Sequence, residues 1–246
     1  MNSLPTTHGA KSKVHHHYRW WAAFIRSHPR QLLAISLTLL LLGATVIHQE
    51  PPKKFRGKQY WKEGVTQSVQ TLWESEFARF QMHRVEMGTS TIPDWLWYDE
   101  SDNVNVLVQE EGGDFLVLKQ TKYAIQGETL AVIGGLIEPE EEPLKAAQRE
   151  LEEELKMTAT KWKSLGNFVA AANRGGGTTH VFWAQNAKPI KSTTKSSNND
   201  IAFGELERQD MVRLSRTQLV EELLKGRFRE IKWTATVALA LLSSLS

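Results

Sequence analysis

The chain has 246 residues, a formal net charge of +2 and no cysteine. Near-neutral charge gives nucleic-acid binding no support, and the missing thiols exclude disulfides and thiolate catalysis. About 200 residues remain once the first 50 are set aside, enough for one domain with a sizeable core, and no internal repeat divides them.

Residues 1–30 read as a basic tail, with Lys11, Lys13, Arg19, Arg26 and Arg30 and no Asp or Glu before Glu50. His15-His16-His17 is a solvated, weakly basic patch rather than a metal cluster. Residues 31–48 form an uncharged apolar run, and roughly 17 residues is the lower limit for crossing a bilayer. Trp20 and Trp21 stand ahead of it as interface aromatics do. The run exceeds a usual signal-peptide core and no small-x-small cleavage site follows, so a retained single transmembrane helix is expected over a removed presequence. Membrane lipid is thus an expected partner. Lys53, Lys54, Arg56, Lys58 and Lys62 follow the span and balance the basic residues before it, which leaves its orientation open.

Residues 49–92 are expected to be a linker and an amphipathic helix. Over 60–86, Val65, Val69, Leu72, Trp73, Phe77 and Phe80 recur at helical spacing. Such a helix would dock on the following domain or on a second copy of the chain, making a homodimer. Pro93-Asp94-Trp95-Leu96-Trp97-Tyr98 then opens a domain over 93–246, its aromatics serving packing rather than base stacking. Residues 104–109 and 115–120 read as strands joined by the turn Glu110-Glu111-Gly112-Gly113-Asp114. Residues 130–133 lead into Gly134-Gly135 and a helix. Strands are expected again at 164–172 and 178–185, joined by Asn173-Arg174-Gly175-Gly176-Gly177. That segment is either a plain turn or a place where backbone amides and Arg174 meet a phosphate. A polar loop over 191–208 carries Glu205 and Glu207, followed by a strand at 211–214 and a helix capped by Ser215 near 218–225. The apolar stretch 233–242 is too short to span a bilayer and reads as a core helix.

The chemistry concentrates after Gly134-Gly135. On a helix of about 3.6 residues per turn, Glu150, Glu153 and Glu154 share one stripe, and Leu144, Ala147, Leu151 and Leu155 share another roughly 110° away. One stripe can bury and the other can hold hard cations, Mg2+ or Mn2+, which take oxygen ligands together with substrate phosphates. That pairing suits cleavage of a phosphoanhydride.

In sequence, Gly135, Glu141, Arg149, Glu150, Leu151, Glu153, Glu154 and Met157 fall in the register of the Nudix box, and the segment resembles that family. The departure is Lys156, where the family usually has a helix-ending Gly. The resemblance implies an α/β fold, a Nudix-type α/β/α sandwich with a mixed sheet. It implies metal ligation by Glu150, Glu153, Glu154 and the backbone of Gly134, structural roles for Gly135, Glu141 and Arg149, and a small-molecule nucleotide substrate. The sequence is loosely similar to the ADP-ribose pyrophosphatase branch. There, a loop glutamate acts as general base, which Glu205 or Glu207 matches by position, and polar or basic residues precede the box, as Gln120 and Lys122 do here. Ala131 and Ile133 stand where that branch has Glu-x-Pro, and its downstream proline is absent near Ala171. The expected activity is therefore hydrolysis of a diphosphate linkage in a nucleoside diphosphate derivative, ADP-ribose or a nucleotide sugar. The alternative is a membrane-tethered, inactive Nudix-fold module that binds a nucleotide metabolite.

Overall fold

The computed structural model describes residues 54–58, 61, 63–190 and 209–244. The basic tail, the 31–48 span, the histidine triplet, and the loop bearing Glu205 and Glu207 lie outside these residues. Ten strands form one mixed sheet: β1 (Thr66–Glu74), β2 (Ala78–Met87), β3 (Ser90–Glu100), β4 (Asn103–Glu110), β5 (Phe115–Lys122), β6 (Ile125–Ala131), β7 (Ile133–Leu136), β8 (Met157–Ala171), β9 (Gly175–Pro189) and β10 (Gln209–Leu214). Among the described residues, three α-helices accompany them: α1 (Pro143–Leu155), α2 (Arg216–Leu224) and α3 (Ile231–Leu242). The strand order is β1-β2-β3-β9-β4-β5-β10, with β6 on β5, β7 on β4 and β8 on β9. Among the described residues, β9 runs parallel to β3 and β4, and the other pairs are antiparallel.

The core forms where β4, β5 and β9 lie buried on both faces. Val104, Val106, Leu107, Val108, Phe115, Leu116, Val117 and Ala184 are each almost wholly removed from water. At about 1.5–3 kcal/mol per fully buried large aliphatic or aromatic side chain, this cluster dominates the favourable side of folding. α1 adds Ala146, Ala147 and Leu151 to one face, and α3 adds Trp233, Val237, Ala240 and Leu241. The capping box before α2 is complete: Ser215 Oγ accepts from the Gln218 amide, and the Ser215 amide donates to Gln218 Oε1. The helix that begins at Ile231 is only 12 residues long, and no helix among the described residues is long and apolar enough to cross a membrane.

The amphipathic helix expected over 60–86 is absent. Glu63–Val65 make a 3-10 turn, and the residues from Thr66 on form the hairpin β1–β2, with bulges between Thr66 and Ser68 and between Thr71 and Trp73. Those bulges shift the alternation, so a strand's apolar residues mimic helical spacing. The cross-strand row Trp73, Phe80 and Tyr98, with adjacent rings 5.9 Å apart, supplies packing that no helix could make here.

The glycine triplet is also not the turn. Ala172 to Arg174 make the turn, and Gly175, Gly176 and Gly177 are the first, buried residues of β9, with φ of 96°, 84° and 71°. A Cβ on Gly175 would fall on the Tyr98 carbonyl and one on Gly176 within 2.7 Å of the Tyr98 hydroxyl, so the glycines let β3 close on β9. Gly175→Ala is accordingly expected to cost about 2–4 kcal/mol, from the positive φ and the overlap with backbone. Urea denaturation checks this; an unchanged midpoint would contradict the close approach.

Candidate metal and phosphate site

The site begins with two glycines that carry no side chain because their neighbours occupy the space. A Cβ at Gly134 would collide with the Val104 carbonyl and approach Asn105 Oδ1 to 2.9 Å. A Cβ at Gly135 would collide with the Glu150 carboxylate. Successive residues of a strand point to opposite faces, so Gly135 opens the face that receives α1 while Gly134 opens the other. Glu150 is thereby brought flat against β7, only 8% exposed.

The loop from Leu136 to the start of α1 is tied by one guanidinium. Arg149 Nε and Nη2 donate to the two carboxylate oxygens of Glu141 at 3.0 and 2.9 Å, and Nη2 also donates to the Leu136 carbonyl at 2.9 Å. Its Nη1 donates to Glu150 at 2.7 Å and Glu153 at 3.1 Å. Glu141 in turn accepts from the Glu138 amide at 3.0 Å. These bonds hold the Glu141 carboxyl below its ordinary range, the Arg149 hydrogen bond being the main cause, and hold the Arg149 charge more firmly still. Pro143 in the first turn sets the helix start. Lys156 ends it with φ 54° and ψ 41°, donating to the Glu152 and Leu151 carbonyls, so this lysine takes the left-handed exit that a glycine takes more easily.

Along α1 the carboxylates differ. Glu150 is pushed up from the ordinary range by burial, against the pull of Arg149. Glu154 is pushed up to about 7, by loss of water around its carboxyl first and by Glu150 next, with Lys122 and the Gly134 amide opposing. Its residue surface as a whole is open to solvent, so the crowding belongs to the carboxyl end. Glu153 lies at the surface, 56% exposed. Two buried or crowded carboxylates within reach of one cation are poorly neutralised by protein alone. As placed, no three His, Asp or Glu among the described residues close on a single point, and Arg149 stands between Glu150 and Glu153. The donor set nonetheless fits a hard divalent ion: three carboxylates on one helix face, next to a backbone with no side chains to block approach.

The other residues singled out from the sequence separate into two groups. Lys122, at the end of β5, acts electrostatically on Glu154. Gln120, two residues earlier, is 4% exposed and its Oε1 has no hydrogen-bond partner. Arg174 is engaged elsewhere: its guanidinium lies over the Trp95 ring, 5.0 Å from the centroid, and donates to the Leu96 carbonyl at 3.1 Å. Sequence reasoning missed Asp102 and His180. Asp102 is buried, accepts from the Thr178 amide at 2.8 Å and pairs with Lys58 at 3.8 Å, while its own carbonyl accepts from Ile137. His180 shares with Glu150, Arg149 and Lys58 the lining of a cavity of about 550 Å3 under the loop, and burial holds its imidazole below the ordinary range. Asp102 stands just ahead of β4 and His180 lies inside β9 opposite Val104, a juxtaposition that no local sequence signal marks. Arg149→Lys keeps the charge but loses the fork, and is expected to cost about 2 kcal/mol with the loop released. Denaturant midpoint together with proteolysis between Leu136 and Pro143 measures both effects.

A family model described as NUDIX domain matches residues 100–233. The crystal structure of an ADP compounds hydrolase superposes with a TM-score of 0.57 at 16% identity, covering 74% of this chain and 95% of that one. At that identity the likeness is one of fold. No curated protein matches the sequence. Because the family match extends over more than half of the chain and includes the glycine loop, Arg149 and all three helix glutamates, the protein belongs to the NUDIX domain family.

Proposed function

We propose that the protein hydrolyses a diphosphate linkage in a nucleoside diphosphate derivative, ADP-ribose or a nucleotide sugar, with Mg2+ or Mn2+. The observation that carries this reading is the gathering of Glu150, Glu153 and Glu154 on one face of α1 beside Gly134 and Gly135, with Glu154 raised to about 7. The activity of the structural neighbour on ADP compounds points the same way. Glu150, Glu153, Glu154 and the Gly134 backbone would hold the metal. When bound, it screens the diphosphate oxygens and polarises a phosphorus toward attack.

The chain's own residues then have distinct tasks. Arg149 keeps Glu150 and Glu153 aimed along one face, and Glu141 keeps Arg149 in place. Lys122 and Gln120, on the strand facing Glu154, bind the phosphate side of the substrate. A carboxylate, Glu205 or Glu207, takes the proton of the attacking water, and in-line displacement leaves two phosphate-bearing products. For ADP-ribose these are AMP and ribose 5-phosphate. Glu153→Gln and Glu154→Gln are each expected to lower kcat by at least about 100-fold on the substrate turned over by the wild type, with the folded state retained. Metal and nucleotide binding without turnover in the wild type would favour the binding-only module instead.

The uncharged run at 31–48 supports a single-pass membrane tether for this domain, of open orientation. Full-length protein is expected to stay with membranes through alkaline carbonate washing. Release into the supernatant would exclude a span.

A further inference from the structure

The two faces of the β1–β3 extension differ in what they meet. Strand alternation puts Arg79, Gln81 and His83 of β2 on one face, opposite Asp99, Trp97 and Trp95 of β3. That face is closed: Phe55 lies against the Arg79 guanidinium, Trp61 meets His83 edge-on, and Gln81, His83 and Asp99 are buried. The other face carries Trp73, Phe80 and Tyr98 in one cross-strand row, and Met82 paired with Leu96 in the next. Trp73 is 54% exposed, Phe80 38% and Leu96 44%. A contiguous apolar patch over three strands, open to solvent, marks a surface that a partner covers. Trp and Tyr at its edge, each with an apolar body and a polar tip, are the side chains that gather at a membrane–water boundary.

We propose that this face lies on the membrane, with Trp73, Phe80, Tyr98, Met82 and Leu96 seated between headgroups and acyl chains. The length of chain ahead of the domain selects this occupant. The apolar run ends at His48, and Phe55 is already held on Arg79 of β2. The seven steps between them reach at most about 25 Å when fully extended. The extension that receives the tether is therefore kept within that distance of the bilayer, and the same extension carries the open aromatic face. A tethered surface meets lipid at high effective concentration, so a contact too weak to recruit a free protein still forms. This assignment rests on the single-span reading for its tether, but it concerns the domain's own surface and needs neither metal nor turnover.

The experiment uses full-length protein in phosphatidylcholine vesicles. Because the chain has no cysteine, Trp73→Cys and Leu96→Cys each provide one attachment point for a nitroxide. Leu224→Cys supplies the reference: it is 82% exposed on α2, which follows β10 at the opposite end of the sheet. Collisions with oxygen, which partitions into lipid, are compared with collisions with a water-soluble nickel chelate. The oxygen-to-nickel ratio at positions 73 and 96 is expected to be at least five-fold that at 224, and equal ratios at all three overturn the assignment. Protection from both reagents, with labels on two chains broadening each other's spectra, would place a second copy on this face and overturn it as well. In the wild-type chain, a lipid bearing a diazirine near its headgroup is expected to form adducts within 73–98 as well as 31–48, which tests the contact even if a variant fails to fold; adducts confined to 31–48 contradict it. A chain that resists carbonate washing while its labels sit in water sinks this assignment alone. Lipid-facing labels on a chain that carbonate releases would sink the span alone.

Discussion

Like charges gathered against a sheet must be answered by an opposite charge, and in this protein one guanidinium answers most of it. Arg149 spans Glu141, Glu150, Glu153 and the Leu136 carbonyl. Its planar fork is suited to the task, since a carboxylate is bound through two parallel bonds and the remaining N–H groups still point along the helix. From the loop between β7 and α1, Ile137 packs against the core. The loop's shape follows from the Arg149 bonds, from Glu141 accepting the Glu138 amide and from Ile137 donating to Asp102. At Glu154 it is Lys122 and the Gly134 amide that oppose burial and the Glu150 charge.

The second constraint is that β4 serves two layers. Val104 and Val106 face the α1 side, with Gly135 and Ile133 paired beside them, while Asn103, Asn105 and Leu107 face α3. A strand buried on both faces normally reads as continuously apolar. Here, two asparagines interrupt it where the sheet borders a cavity. The glycines at 134 and 135 serve both layers too, one making room for Asn105 and the other for Glu150.

Beyond the family region, β1, β2 and most of β3 extend the sheet through a short parallel contact at Tyr98 and Gly175. Their interior face is polar and aromatic: His83 stacks on Trp97, with centroids 5.7 Å apart, and Trp97 donates to Asp99, which is paired with Arg79 at 2.7 Å. Residues 55 and 61 cover part of it, through Phe55 under the Arg79 guanidinium and Trp61 edge-on to His83. The aromatic run at 93–98 thus serves packing, as its composition suggested.

Much of the site could be read without coordinates because its parts are local. The box spacing, the stripe of glutamates on α1, the strands at β4 and β5 and the Ser215 cap depend on residues close together in the chain, and helical and strand periodicity carry that information directly. The hairpin β1–β2 could not be read in this way. Its bulges erase the period of two, and the row of Trp73, Phe80 and Tyr98 joins residues far apart in the chain. The same holds for the glycines of β9, for Arg174 on Trp95, and for Asp102 and His180. By itself, the order of residues determined which groups can carry charge and metal on a single helix. Tertiary structure alone decided which strands lie against one another, because burial and cross-strand contact are properties of pairs that no local period records.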